Sequence, residues 1–209
     1  MPEIYQGPVG NHYDKFGTTN PIARRLMAGF TRSFTELYEQ VSPDTVLEIG
    51  CGEGHMLHLM QSHASPMLYG FDVAPEILRI AQQMNPDVCL SLMDGHALAY
   101  PAATFDLVVA CEVLEHVFHP EQVVREAARV SKRYAIFSVP REPLWRALNF
   151  LRGQYMRDWG NTPGHIQHWS SDGFEHFIDQ QFKVIAVRRP LPWTMVLCEL
   201  HDVASGGTR

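Results

Sequence analysis

The sequence predicts an α/β domain on a largely parallel, doubly wound sheet, and three observations carry that prediction. Short apolar runs alternate with segments of helical period through the middle of the chain, the rhythm of strand–helix–strand units whose helices cover both faces of a sheet. The first of these runs breaks into alternate glycines just before a helix, as a buried parallel strand does when it turns sharply into its crossover. The last two runs are joined by only Arg189-Pro190-Leu191-Pro192, too short for a crossover helix, so they pair antiparallel.

Taken in order, Pro21 to Val41 reads as an amphipathic helix, with Ile22, Leu26, Phe30, Phe34, Leu37 and Val41 at spacings of three or four, packed as a flank on the sheet. Strands at Thr45–Ile49, Met67–Phe71, Val88–Leu92, Phe105–Cys111 and Tyr134–Val139 interleave with helices at Met56–Gln61, Pro75–Met84 and Pro120–Ser131. Leu107 to Ala110 is apolar without alternation, as a strand covered on both faces must be. Ile77, Leu78, Ala81 and Met84 keep helical spacing behind Pro75, a good first-turn residue. Arg141 to Trp169 is a long connection carrying Trp145, Phe150, Tyr155 and Trp159 among Arg146, Arg152 and Arg157. Within it Leu144, Leu148 and Leu151 form one helical stripe, a short lid over the substrate. Phe182–Arg188 and Trp193–Leu200 are the closing hairpin. This makes one domain over residues 1–209, with a helical flank (1–42), a core (43–139), a lid (140–170), and a final helix and hairpin (171–203); Ala204 to Arg209 reads as a flexible end.

Composition narrows the function. A chain of 209 residues, 45% hydrophobic and 19% charged, has the makings of a packed core and is neither a disordered tail nor a coiled coil. Lys plus Arg number 17 against 23 Asp plus Glu, a formal charge of −6, so no global positive field exists to hold a nucleic-acid backbone. Cys51, Cys89, Cys111 and Cys198 form no C-x-x-C pair and suit reduced thiols, hence a cytoplasmic location. No stretch approaches the roughly 18 to 20 apolar residues of a membrane span. The beginning of the chain, with Glu3, Pro8, Asn11 and Asp14, does not read as a signal peptide. The expectation is a protein that is neither secreted nor membrane-spanning.

The chemistry begins at Val46-Leu47-Glu48-Ile49-Gly50-Cys51-Gly52-Glu53-Gly54. Glycines here admit positive φ and bring bare backbone close to a ligand, while the helix N-terminus behind them favours an anionic group. A plain strand-to-helix turn gives the same pattern, and a dinucleotide fold is the rival, but that fingerprint needs a glycine where His55 stands. The second strand ends at Asp72, 18 residues beyond Gly54, where a carboxylate accepts from both ribose hydroxyls of a nucleoside. The third ends at Asp94, which accepts from an adenine amino group or caps a turn.

In VLEIGCGEG, GFDVAPEIL and MDGHALAYPAATFDLVVACEVLEHV the chain resembles the class I S-adenosylmethionine-dependent methyltransferases from about Pro43 to Val139, and again through GHIQHWS to the final hairpin. The resemblance implies a Rossmann-like sheet of seven strands, mostly parallel with the last antiparallel. It implies S-adenosylmethionine as cofactor, with Gly50, Gly52 and Gly54 along its methionine part, Asp72 on the ribose, Asp94 on the adenine and Glu48 bracing the loop. Val73, Gly95 and Cys111 complete the implied set. Asn20-Pro21 followed by Arg24 and Arg25 is similar to the first helix of the ubiquinone-pathway O-methyltransferases, which implies that Arg24 or Arg25 binds the cofactor carboxylate. One departure is Val130-Ser131-Lys132-Arg133, where the family carries a glycine pair.

At the reacting end, Glu112, Glu115 and His116 lie at i, i+3 and i+4 and share a face if that turn is helical. Three readings stand side by side. Glu115 and His116 organise the loop; or His116 is a general base that takes the acceptor's proton; or the group is part of a metal site. The last is favoured by similarity of E-x-x-E-H, with a histidine four residues before Trp-Ser, to the small-RNA 2′-O-methyltransferases, in which two glutamates and two histidines hold magnesium. Glu112, Glu115, His116 and His165 are the positions so implied, for magnesium, manganese or zinc. Otherwise His165 and His168 cap the helix that starts near Ser171 or touch substrate. The expected activity is methyl transfer to a small-molecule acceptor, at a hydroxyl oxygen, with His116 and His165 catalytic. An RNA 2′-O-methyltransferase and a non-catalytic cofactor-binding protein are the alternatives. The basic, aromatic lid also admits a peripheral membrane contact or a lipid-linked acceptor.

Overall fold

The computed structural model describes residues 17–63, 66–151 and 159–201. Seven strands, β1 (Thr45–Ile49), β2 (Met67–Asp72), β3 (Cys89–Leu92), β4 (Phe105–Cys111), β5 (Ser131–Pro140), β6 (Phe182–Arg188) and β7 (Trp193–Leu200), form one sheet in the order β3-β2-β1-β4-β5-β7-β6. The first five run parallel, whereas β7 is antiparallel to both β5 and β6. The expected α/β architecture is therefore the observed one. Strand order reverses between β1 and β4, the switch point beyond whose carboxyl ends a doubly wound sheet places its ligand crevice.

Helices α1 (Pro21–Tyr38), α2 (His55–His63), α3 (Pro75–Met84), α4 (Pro120–Val130), α5 (Leu144–Leu151) and α6 (Ser171–Asp179) flank the sheet, with a single 3₁₀ turn at Leu114–His116. Two apolar layers result. Leu47, Val108, Phe137 and Val196 face Val123, Val124, Phe174 and Ile178 on α4 and α6, while Val46, Val109, Ile136 and Leu197 face Phe30, Phe34, Leu57 and Met60 on α1 and α2. Consecutive strand residues alternate between layers, which is why these strands read as unbroken apolar runs.

Two boundaries shift for local reasons. Helix α1 stops at Tyr38 rather than Val41, because the Gln40 and Val41 N–H groups bond back only three residues, to the Leu37 and Tyr38 carbonyls, before Ser42 adopts a φ of 47°. Strand β5 begins at Ser131, the expected end of α4, with a register irregularity opposite Phe105 and Leu107. There the Ser131 hydroxyl donates to the Tyr134 carbonyl at 2.9 Å and accepts from the Arg133 N–H at 3.1 Å, a side-chain turn in place of the glycine pair. Among the described residues no helix is long and apolar enough to cross a membrane. Tyr155, Arg152 and Arg157 of the lid, and the end from Ala204, lie outside the described residues.

Candidate active site

One wall of the crevice is the glycine turn after β1. Gly50, Gly52 and Gly54 hold φ of 64°, 52° and 86°, the left-handed region that side chains other than glycine's enter at a cost. A Cβ on Gly50 would lie 2.7 Å from Val113 Cγ2, so the turn is pressed against the loop that follows β4. A Cβ on Gly52 would meet nothing within 4 Å, leaving bare backbone facing open space. Asp72 ties the turn down: one carboxylate oxygen accepts from the Gly52 N–H and the other from the Ala74 N–H, both at 3.0 Å. Each oxygen keeps a second lone pair for a ligand hydroxyl. Val73, beside it, is exposed.

Glu48 is 2% exposed and accepts from the Leu57 backbone N–H on α2. Burial, with the Asp72 charge nearby, raises its carboxyl well above the ordinary range and favours the neutral acid, and its Oε2 is buried without a hydrogen-bond partner. An orphaned polar atom beside an open glycine cradle fits a polar, zwitterionic ligand such as the methionine part of S-adenosylmethionine. Asp94, at the end of β3, accepts from the His96 N–H at 2.9 Å and pairs with the His96 ring at 2.6 Å. Burial raises the Asp94 carboxyl, but the two His96 contacts outweigh it and hold it below the usual aspartate value. Gly95 makes only ordinary contacts with Ile49 and Val123, so its lack of a side chain is not required by packing. Burial also raises the Cys111 thiol, keeping it protonated. Arg24 and Arg25 are exposed on the first turns of α1. Asn85 gave no sequence signal, yet it is fully buried and donates to the Gly54 carbonyl at 3.0 Å and the Ala81 carbonyl at 3.2 Å, joining the turn to α3.

The opposite wall follows β4, and here a sequence expectation needs correction. Glu112, Glu115 and His116 do not share a helical face, because Glu112 has a φ of 60° and only Leu114–His116 is helical, as a 3₁₀ turn. The Glu112 carboxylate points to the hairpin instead, accepting from the Trp193 indole N–H at 2.6 Å and from the Ser138 hydroxyl at 3.4 Å. Glu115, His116 and His165 do come together. Each offers one ligand atom, and these atoms lie within 4.8 Å of one another. Among the described residues the group consists of these three, and Glu112 of the expected ligand set lies outside it.

Backbone bonds bring the distant histidine in. The Glu115 carbonyl accepts from the N–H groups of Ile166 at 2.8 Å and Gln167 at 3.1 Å, and the Gln167 side chain donates to the Val117 carbonyl at 3.2 Å. His116 Nδ1 donates to the Gly164 carbonyl at 3.0 Å, and its Nε2 lies 4.0 Å from Glu115 Oε1. Glu115 is 1% exposed and His165 7%, so an ionic carboxylate here is compensated by the imidazoles or by an ion. The donor set and the carbonyl on the far nitrogen of His116 fit a divalent metal ion. Trp145 of the lid stacks on the His165 ring at 5.9 Å between centroids and donates to Thr162 at 2.9 Å. His168 bonds to Asn161 outside the cluster, and Ser170, not a histidine, caps α6.

Comparison with known proteins agrees with this fold. Residues 22–186 match the family model described as a methyltransferase domain. The chain is 27% identical over 156 residues to the ajmaline N-methyltransferase of Rauvolfia serpentina, an alignment covering 63% of the chain and 53% of that protein. It is 36% identical over 93 residues to the ubiquinone biosynthesis O-methyltransferase of Paracidovorax citrulli, covering 42% and 39%. The chain thus spans about half or less of the length of these relatives. The fold matches magnesium protoporphyrin IX methyltransferase from Synechocystis PCC 6803 with bound SAH, with a TM-score of 0.66 at 16% identity over 88% of this chain and 90% of that one.

Proposed function

The chain belongs to the methyltransferase-domain family of class I, S-adenosylmethionine-dependent enzymes, and on that premise we propose that it methylates a hydroxyl oxygen of a small molecule. The observation that carries the hydroxyl reading is the cluster of Glu115, His116 and His165. The sulfonium methyl is already a strong electrophile, so the protein's work is to align acceptor, methyl and sulfur and to remove a proton. A neutral amine attacks without prior loss of a proton, whereas a hydroxyl gains most from a base. A buried carboxylate beside two imidazoles, with His116 Nε2 4.0 Å from it, suits a hydroxyl.

Contact between the walls supports the alignment. Val113, against which Gly50 is pressed, also accepts the His116 N–H through its carbonyl at 3.0 Å, so the cofactor turn and the proton-accepting turn share one residue. Asp72, Asp94 and the Gly52 backbone hold the cofactor by its ribose, adenine and methionine parts. Glu115, His116 and His165 would hold a divalent ion, whose charge would lower the pKa of a bound hydroxyl. The lid residues Trp145 and Thr162 keep the His165 ring in place and limit water. A formal charge of −6 favours a small acceptor over RNA.

The test is formation of S-adenosylhomocysteine with panels of phenolic, sugar, lipid-linked, amine and RNA acceptors, with products identified by mass spectrometry. O-methyl products from small molecules are expected. Turnover confined to amines or RNA overturns the acceptor assignment, and no turnover with measurable S-adenosylhomocysteine binding leaves a non-catalytic binding protein.

A further inference from the structure

The lid leaves two aromatic rings in solvent. Trp159 is 75% exposed and Phe150 42%, and their rings stack nearly parallel, with centroids 6.4 Å apart. Singly exposed apolar side chains are ordinary, but the backbone under this pair is fixed. Trp159 and Gly160 hold φ of 51° and 79°, a conformation that a bulky side chain enters at a cost. A Cβ on Gly160 would collide with the Arg146 carbonyl on α5. The Gly160 carbonyl accepts from the Asn149 side chain at 3.0 Å, and Asn149 is 2% exposed. The Trp159 carbonyl accepts from Arg146 Nε at 3.3 Å. A turn locked against α5 therefore holds an indole out in water.

Charge separates the lid from the rest of the chain. Of the 17 basic and 23 acidic side chains in the sequence, residues 141–169 carry four arginines and two acids, which leaves 13 against 21 elsewhere. One of the two acids, Glu142, is turned inward: one carboxylate oxygen accepts from the Arg146 N–H at 3.3 Å, the other is buried, and burial raises its carboxyl above the ordinary value. We propose that the stacked Phe150 and Trp159 rings, with Arg146 beside them, dock the lid on an anionic phospholipid bilayer. An indole joins an apolar ring to one polar N–H and settles at the boundary between headgroups and acyl chains. Arg146, bonded to the Trp159 carbonyl, carries its cation next to that ring, where lipid phosphates accept from it. The same negative surface repels the acidic remainder of the chain, which orients the lid toward it. A second copy is a poorer occupant, because a symmetric pair would set two net-positive lids against each other. Trp159 lies six positions before His165, so docking brings the acceptor wall to the bilayer.

The experiment is co-sedimentation of the full chain with phosphatidylcholine vesicles and, separately, with vesicles that also contain phosphatidylglycerol. Binding to the mixed vesicles should be about tenfold tighter than to phosphatidylcholine alone and should fall as salt screens the charge. Trp159→Ser should weaken binding to the mixed vesicles about tenfold while S-adenosylhomocysteine affinity stays within about twofold. Arg146→Gln should lower the preference for phosphatidylglycerol. Equal binding of the parent to both vesicle types, or to neither, overturns the proposal. So does a Trp159→Ser variant that binds as well as the parent, or an Arg146→Gln variant with an unchanged preference. A dimer in sedimentation equilibrium that Trp159→Ser dissolves, without vesicle binding, assigns the rings to a second copy and overturns it too. If Trp159→Ser fails to fold, Phe150→Ser decides by the same measurement. No methyl acceptor enters these assays, so their outcome is separate from that of the hydroxyl reading.

Discussion

The two walls of the crevice are built by different means. The cofactor wall uses backbone: three left-handed glycines in one turn, an aspartate that bonds N–H groups on either side of it, and a buried asparagine that accommodates Gly54. The acceptor wall uses side chains gathered from far apart, with Glu112 bonded to Trp193 across 81 positions and His116 to Gly164 across 48. A backbone cradle tolerates few substitutions but reads the same in many proteins, whereas a side-chain cluster can be re-equipped without disturbing the fold. The chain resembles both an N- and an O-methyltransferase.

The comparison breaks most directly at Glu115. Glu115→Gln should lower the turnover number about 10²- to 10⁴-fold, the usual worth of proton removal, while S-adenosylhomocysteine affinity stays within about twofold. Stopped turnover assays and calorimetry on one preparation separate the two. If affinity and turnover fall together, the walls are not independent.

Next in size is a contrast inside the cofactor wall. Gly50→Ala combines a left-handed φ with a 2.7 Å approach to Val113 and should cost roughly 2 to 4 kcal/mol of stability. Gly52→Ala has the φ but no neighbour within 4 Å and should cost roughly 1 to 2 kcal/mol. Thermal unfolding of the two variants ranks them. Equal losses would show that backbone strain alone governs the turn and that its contact with the acceptor wall is incidental.

Asp72→Ala should raise the dissociation constant of S-adenosylhomocysteine about 10- to 100-fold, since charge-assisted hydrogen bonds of roughly 1.5 to 3 kcal/mol are lost. The same variant frees the Gly52 and Ala74 N–H groups, so part of the loss comes from a looser turn. Asp72→Asn keeps an acceptor and should recover some affinity. Unchanged binding in both would remove Asp72 from the cofactor wall.

Legibility followed the same division. The five parallel strands, the hairpin and the glycine turn were readable because each depends on residues close in sequence, such as the apolar run of β4 or Pro75 at the start of α3. The union of Glu115 and His116 with His165 was suggested by a family resemblance, and the structure brings them together through backbone bonds of Ile166 and Gln167 that no side-chain pattern encodes. Glu112 defeated the reading because spacing assumes a helix, and a φ of 60° at that one residue turns its side chain to Trp193. Asn85 was silent for a related reason. An asparagine at the end of a helix ordinarily faces water, and only the close packing of α3 on Gly54 makes it a core residue.

The smallest effect sharpens the cofactor wall by its charge. Asp94 has a folded carboxyl pKa below the ordinary aspartate value because the His96 contacts outweigh burial. A depressed carboxylate contributes stability above its unfolded pKa and loses it as the pH falls through the folded pKa, so its charge survives slightly beyond the usual range. Affinity for S-adenosylhomocysteine should therefore persist through Asp94 to a lower pH than with an ordinary aspartate. His96→Ala keeps the backbone N–H but removes the ring contact, moving the carboxyl back up toward the ordinary aspartate range. On acidification the variant should then lose affinity at a higher pH than the parent, while the two bind equally at pH 7. A loss of equal size at every pH would mean that His96 orients Asp94 rather than holding its charge, and the cofactor wall would contain one side-chain device of the kind that dominates the acceptor wall.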